Sequence, residues 1–202
     1  MNKDRIRNRH NRRSKRVFLI AYEGNNKTEK NYFYNFLSRE KNFVIKIVPG
    51  NETDPINLIK QTINKVKEID LDFNNGDLAY CVFDTDTDTS KNNQIIKAVS
   101  LALKNNVIPI ISSPCIELWF LLHYEYTTGF ISNEEVINRL KRHNSKYKKN
   151  YNIYLDIKDR TNVAIDNSKK LENYHLKNKK KLQLVDTNPY TEIYKIVEEL
   201  IK

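Results

Sequence analysis

A chain of 202 residues can bury one full hydrophobic core and is too short for several large domains. With 30% charged and 39% hydrophobic residues, it has no run approaching the roughly 20 apolar residues of a membrane span and no apolar signal core at its N-terminus, so a soluble protein in the cytoplasm is expected. The formal charge of +10 predicts attraction to polyanions. Two cysteines, Cys81 and Cys115, form no disulfide framework, and no Cys/His spacing points to zinc.

Positive charge is densest at the start. Residues 3–16 hold Lys3, Arg5, Arg7, Arg9, Arg12, Arg13, Lys15 and Arg16 against Asp4 alone, which predicts a flexible basic arm over residues 1–16. Its arginines suit phosphate contact, because the guanidinium fork matches phosphate oxygens. Val17–Tyr22 is then a short apolar run and a first strand, ending at Glu23-Gly24. Thr28 can cap a helix reaching about Arg39, with Tyr32, Phe33, Phe36 and Leu37 on its inner face. Lys27, in the turn between, is a cation within reach of a phosphate, although an exposed turn lysine is usually only solvated.

Phe43–Val48 reads as a second strand closed by Pro49-Gly50. Asp54-Pro55 starts a helix with Pro in its first turn and Ile56, Ile59, Ile63 and Val66 on one stripe. Leu78–Phe83 is a third strand, apolar enough to be buried on both faces. A helix from about Asn92 to Asn105 follows, with Ile95, Ile96, Val99, Ala102 and Leu103 inward, and Val107–Ile111 is the fourth strand. Alternation at crossover lengths argues for an α/β fold with a mainly parallel four-stranded sheet flanked by helices, over residues 17–128. Ser112 to Tyr124 is apolar nearly all round and reads as a buried helix, with His123 as packing. Residues 129–202 read as an α-helical extension packed on the core, ending in an amphipathic helix with Ile193, Ile196, Val197 and Leu200 on one face. Within it, a basic stretch from Lys141 to Lys181 interleaves Tyr147, Tyr151, Tyr154 and Tyr174, which offers phosphate contacts and stacking faces.

The chemistry concentrates at one strand exit. The third strand ends in Asp84-Thr-Asp86-Thr-Asp88, and clustered carboxylates repel one another unless a cation sits among them. Oxygen-only ligands favour a hard ion, Mg²⁺ or Mn²⁺, and open α/β sheets place their chemistry at the carboxyl ends of their strands. Glu23 occupies the equivalent position after the first strand. Glu117, the one acid in the apolar helix, is a second candidate neighbour, although a first-turn glutamate is also explained by the helix dipole alone. The bland reading of Asp-Thr-Asp-Thr is a polar loop and helix cap. An EF-hand is excluded, because Thr89 and Ile95 stand where Gly and Glu are needed. A haloacid-dehalogenase-type phosphatase, with Asp84 as nucleophile and Asp86 as acid, fits less well because Asp88 stands where Thr or Val is wanted.

Together these pieces resemble the RloB family, whose core is a Toprim domain. The resemblance rests on the basic arm ending in Arg16-Val-Phe-Leu-Ile, Glu23-Gly24 with Thr28-Glu29, Val82-Phe-Asp-Thr-Asp86, Ser113-Pro-Cys-Ile-Glu-Leu-Trp-Phe-Leu-Leu-His123 and Asn188-Pro-Tyr-Thr. The family's usual Ser-Asn-Pro is Ser112-Ser113-Pro114 here. The resemblance implies a Toprim-like core in which Glu23, Asp84 and Asp86 flank a Mg²⁺ (or Mn²⁺) site, with Asp88 as an optional extra acid; Lys27 and Glu117 are added as neighbours by their positions in the chain, not by the resemblance. It also implies a setting in bacterial loci for defence against phage. The expected activity is phosphodiester hydrolysis of DNA or RNA, tRNA included, with Arg5, Arg7, Arg9, Arg12, Arg13 and Arg16 on the nucleic acid and other defence-system proteins as further partners. Two competitors remain. A non-catalytic module would bind nucleic acid or dock a partner without needing Asp84 and Asp86, and a phosphatase for small esters would not need the arm.

Overall fold

The computed structural model describes residues 15–24, 27–38, 40–50 and 54–202. The expected arm contacts Arg5, Arg7, Arg9, Arg12 and Arg13 lie outside the described residues. Four parallel strands, β1 (Arg16–Tyr22), β2 (Phe43–Pro49), β3 (Leu78–Asp84) and β4 (Val107–Ser113), stand in the order β2-β1-β3-β4, and a fifth, β5 (Tyr190–Thr191), pairs antiparallel with β4. The sheet is therefore five-stranded, one more than the sequence predicts. The extra strand comes from the C-terminal part, which is accordingly more than a helical appendage.

Alternation along each strand divides the core into two layers. Phe18, Ile20, Tyr22, Tyr80, Val82 and Ile110 face one side, while Leu19, Ala79, Cys81, Phe83 and Ile111 face the other. The second side is covered by α2 (Pro55–Glu68) and α3 (Asn92–Leu103). Asp54 caps α2 by accepting from the Asn57 N–H, and Pro55 occupies its first turn as expected. On α3 the buried stripe is Ile95, Ala98 and Ala102, with Val99 partly buried, while Ile96 and Leu103 are exposed. At about 100° per residue those two lie roughly 80–100° round from the stripe, which turns them to solvent against the inward expectation.

The other face takes α1 (Thr28–Phe33), α4 (Glu117–Leu121), α5 (Asn133–His143), the short α6 (Tyr154–Ile157), α7 (Thr161–Lys177) and α8 (Ile193–Ile201). Helices α1 and α4 are shorter than their apolar runs imply. After α1 the chain passes into a 3-10 turn at Tyr34–Phe36, where the Asn35 carboxamide donates to the Asn31 and Tyr32 carbonyls and competes with helix continuation. Ahead of α4, the Pro114 carbonyl accepts from the Asp86 N–H, and helix begins only at Glu117. Trp119, Phe120, Leu121 and Leu122 are fully buried, and His123 packs edge-on against Trp119 with Nδ1 2.9 Å from the Trp119 carbonyl.

The C-terminal residues are bound into the sheet by polar groups. Ser112 Oγ and Thr191 Oγ1 are 2.8 Å apart, the Glu192 N–H donates to the Ile111 carbonyl, and the Glu192 carboxylate accepts from the Ile111 N–H. Burial of these groups beside β4 explains why Tyr190-Thr191 pairs as a strand where hydropathy alone shows only the approach to a helix. Both cysteines are buried and free.

Candidate acidic cleft

The strand order reverses between β1 and β3: the chain leaves β1 toward β2 on one flank, then returns to β3 on the other. Their helices α1 and α3 leave on opposite faces and open a crevice at the carboxyl ends of these two strands. The register sets Tyr22 beside Val82, so Glu23 and Asp84 emerge at the same end. Gly24 turns the chain away with φ +68°, a left-handed conformation that costs glycine little.

Five carboxylates line the resulting cleft of about 200 Å³: Glu23, Glu29, Asp84, Asp86 and Glu117. Glu23 Oε2 accepts from the Asp84 N–H at 3.4 Å, and burial raises its pKa, partly offset by that bond. Asp84 keeps some surface at the cleft, but its Oδ1 is buried without a hydrogen-bond partner. Its pKa stands well above the carboxylate range through burial first, then repulsion from Glu29, Glu117 and Glu23. Glu29 is buried in the first turn of α1 with Oε2 unpartnered, and its pKa is pushed up to about 8 by burial, with Glu117 and Glu23 adding to the rise. Glu117 Oε1 accepts from the Tyr147 hydroxyl at 2.9 Å, which gives this buried acid a role beyond the helix dipole.

Asp86 is placed by the loop after β3. Thr85 donates through Oγ1 to Ser113 Oγ at 2.8 Å and through its N–H to the Ser112 carbonyl, and Asp86 takes φ +53°. Its carboxylate accepts from Lys91 Nζ at 2.9 Å and from Asn133 Nδ2 at 3.2 Å. Asp88 is exposed and does not line the cleft; its Oδ1 accepts from the Ser90 N–H, which caps the turn that presents Lys91, and the bonds to Ser90 lower its pKa. The polar-loop reading thus describes Asp88, while Asp84 and Asp86 face the cleft.

Lys27 is exposed and also outside the cleft lining; its backbone N–H donates to Asn150 Oδ1. Thr28 does not cap α1 with its side chain but accepts from the Asn150 N–H. Arg16 begins β1, at the end of the sheet away from the cleft, with its guanidinium over the Phe18 ring. Seven strand residues separate the two ends by roughly 20 Å. Of the four tyrosines in the basic stretch, Tyr147 is buried on Glu117, Tyr154 packs on Tyr32 and Phe36, and Tyr151 donates to Asp156, so Tyr174 alone keeps an exposed ring.

Sequence reasoning missed Glu29, Asn133 and Lys149 in the cleft lining. Glu29 was legible, since Tyr32 and Phe33 at i+3 and i+4 put it on the inner face of α1. Asn133 and Lys149 reach the cleft from the C-terminal part across long sequence separations, with no local signal.

The donor set suits a hard divalent cation, being all oxygen with two buried, unpartnered carboxylate atoms. As the side chains stand, however, no three His, Cys, Asp or Glu residues among the described residues are gathered closely enough to hold one ion. Glu23, Asp84 and Asp86 line one cleft without converging, because Lys91 and Asn133 hold the Asp86 carboxylate.

Fold and site define a doubly wound α/β protein with an acidic cleft at its topological switch point. The profile of RloB-like proteins matches residues 18–200, and the chain belongs to that family. No curated protein and no solved structure matches it significantly. No helix among the described residues is long and apolar enough to cross a membrane.

Proposed function

We propose that this protein is a metal-dependent nuclease with a Toprim-like core, hydrolysing phosphodiesters of DNA or RNA, tRNA included, in bacterial defence against phage. One observation carries the catalytic part: Asp84 Oδ1 and Glu29 Oε2 are buried and unpartnered in a cleft lined by five carboxylates. Buried acceptors without partners are costly, so such an arrangement calls for a positive ligand. The Toprim-like reading draws support from Glu23 after β1 lying beside Asp84 at the end of β3. The defence setting rests on family membership alone.

Glu23, Asp84 and Asp86 would hold the ion, Mg²⁺ or Mn²⁺, which when bound orients a phosphodiester and offsets the charge that builds on its oxygens. Where Glu23 stands off the ion, its place at the end of β1 beside the Asp84 N–H suits it instead to take or return a proton at the attacking or leaving oxygen. Lys91 neutralises Asp86 and limits the repulsion an anionic substrate meets there. Lys149, in the cleft lining near Glu29, offers a phosphate contact. The basic arm supplies non-specific attraction for a polyanion that the cleft itself repels.

A second reading is favoured by the Lys91 and Asn133 contacts, which leave Asp86 occupied: a module that holds nucleic acid, or docks another defence-system protein, without cutting. The test incubates purified full-length protein with labelled DNA, total RNA and tRNA in Mg²⁺, Mn²⁺ or EDTA, beside the Asp84→Asn/Asp86→Asn double variant. Metal-dependent cleavage by the parent and none by the double variant is expected. Cleavage that persists in chelator removes the metal reading. Salt-sensitive binding retained by both proteins, with no turnover, supports the binding module instead.

A further inference from the structure

The loop carrying Asp86 borders two hollows. Asp84 and Asp86 line the acidic cleft, while Thr87 and Thr89 line a second hollow of about 310 Å³ together with Phe130, Tyr174, Lys180 and Asn188. Its walls differ in character from the cleft: the rings of Phe130, Tyr174 and His175, the hydroxyls of three threonines and the Lys180 ammonium line it, with Asp186 as the one carboxylate against five in the cleft. The Asp186 backbone carbonyl accepts from Lys180 Nζ at 2.6 Å and its carboxylate accepts from Asn92 Nδ2.

Phe130 is the unusual member, 68% exposed on a backbone that is tightly held. The Asn188 carboxamide accepts from the Ile131 N–H at 2.8 Å and donates to the Ile131 carbonyl at 2.9 Å, and Ile131 is fully buried. Asn133, three residues from Phe130, holds Asp86. One short segment therefore anchors into the core, touches the cleft and holds a phenyl ring out in water. A single exposed apolar residue needs no explanation. Here Tyr174, 39% exposed, lines the same hollow, Tyr126, 43% exposed, lies near Tyr174, and Lys177, Lys179, Lys180 and Lys181 follow on the solvent-facing end of α7 and the turn after it.

The geometry points to a nucleobase subsite: an unpaired base of single-stranded DNA or RNA enters the second hollow and stacks on Phe130 and Tyr174, while the adjoining phosphates run past Thr87 to the acidic cleft. Aromatic faces accept a base only when its own face is free, and in a duplex those faces are already stacked on neighbouring bases. The lysines at the end of α7 match the charge of the outgoing backbone. This inference deepens the nuclease reading by naming the substrate class as single-stranded, and it rests on that reading's polynucleotide partner.

The test measures fluorescence anisotropy with full-length protein in an Asp84→Asn background, so that cleavage does not consume the probe. The probes are a labelled single strand about 12 nucleotides long, a duplex of the same sequence, and the single strand with abasic sites. Phe130→Ala is expected to weaken binding of the intact single strand about ten-fold, to leave duplex binding unchanged and to make no difference with the abasic strand, whereas Phe130→Trp retains affinity. Because Phe130 is mostly exposed, its truncation leaves the fold intact, which the unchanged duplex binding monitors. Binding of the single strand that Phe130→Ala does not weaken, or an equal loss on duplex and single strand, overturns the subsite and leaves the polynucleotide reading standing. Failure of the Asp84→Asn protein to bind any probe overturns both.

Discussion

Buried acids are treated in opposite ways at the two places where this protein's sheet keeps them. At the β4–β5 edge, Glu192 is 1% exposed and fully satisfied: Lys195 Nζ lies at 2.6 Å, Gln183 Nε2 at 2.9 and 3.0 Å, the Tyr190 hydroxyl at 3.2 Å and the Ile111 N–H at 3.2 Å. At the β1–β3 end, Asp84 and Glu29 are surrounded by other acids, and each has an oxygen with no partner. A buried carboxylate that is fully paired fastens the C-terminal part to the sheet. One left short of partners destabilises the fold and persists where something else, absent from the chain, supplies the positive charge. Under the proposed function, the contrast separates a structural acid from a functional one.

The largest expected effect tests the functional half. Asp84→Asn should reduce cleavage at least about 100-fold while raising stability by about 1 kcal/mol at alkaline pH, because an amide escapes the cost of ionising among buried like charges, the cost that raises the Asp84 pKa. Cleavage assays and urea denaturation of the same preparation decide this, and a variant both inactive and unstable would erase the distinction. Glu192→Ala should do the reverse, lowering stability by about 3 kcal/mol by leaving the Ile111 N–H and its other partners unpaired, with cleavage per folded molecule retained.

Proton linkage sharpens the comparison. The pKa of Glu29 is about 8 in the folded protein against an ordinary 4.5, so its contribution to stability is full below about 4.5 and is lost as pH rises toward 8. Thermal melts of the parent should show that loss, Glu29→Gln should flatten it, and added Mg²⁺ should raise the melting temperature more at pH 8 than at pH 5. A slope unaltered in Glu29→Gln would assign it to other groups. His123 acts on the opposite limb: held down to about 4 by burial, it contributes stability present above 6.5 that is lost as pH falls toward 4. The smallest effect belongs to Asp88→Ala, which should leave cleavage within about two-fold, since Asp88 faces solvent and caps a turn.

Much of the α/β order was readable because it depends on short-range periodicity. The apolar runs of β1, β3 and β4 and the Asp54-Pro55 start of α2 carry their own signals, and Cys81 and Cys115 are free as their context implies. Helix lengths were less readable. The early end of α1 depends on the Asn35 carboxamide and the late start of α4 on the Pro114 carbonyl bonded to Asp86, contacts that apolar spacing does not encode. Within the Asp84–Asp88 run, composition alone treats three carboxylates alike; backbone direction after β3 turns Asp84 and Asp86 into the cleft and Asp88 out to solvent.

What the sequence by itself determined is the presence of acids at strand ends, since a charged residue stopping an apolar run marks where a buried strand meets solvent. Only the tertiary structure decided their company. Strand order brought Glu23 to the Asp84 N–H, and Asn133 and Lys149 arrived from the C-terminal part to complete the cleft rim. The physical reason is range: periodicity is a property of neighbours along the chain, whereas the cost of a buried charge depends on whatever lies within a few ångströms in space, however far away it is in sequence.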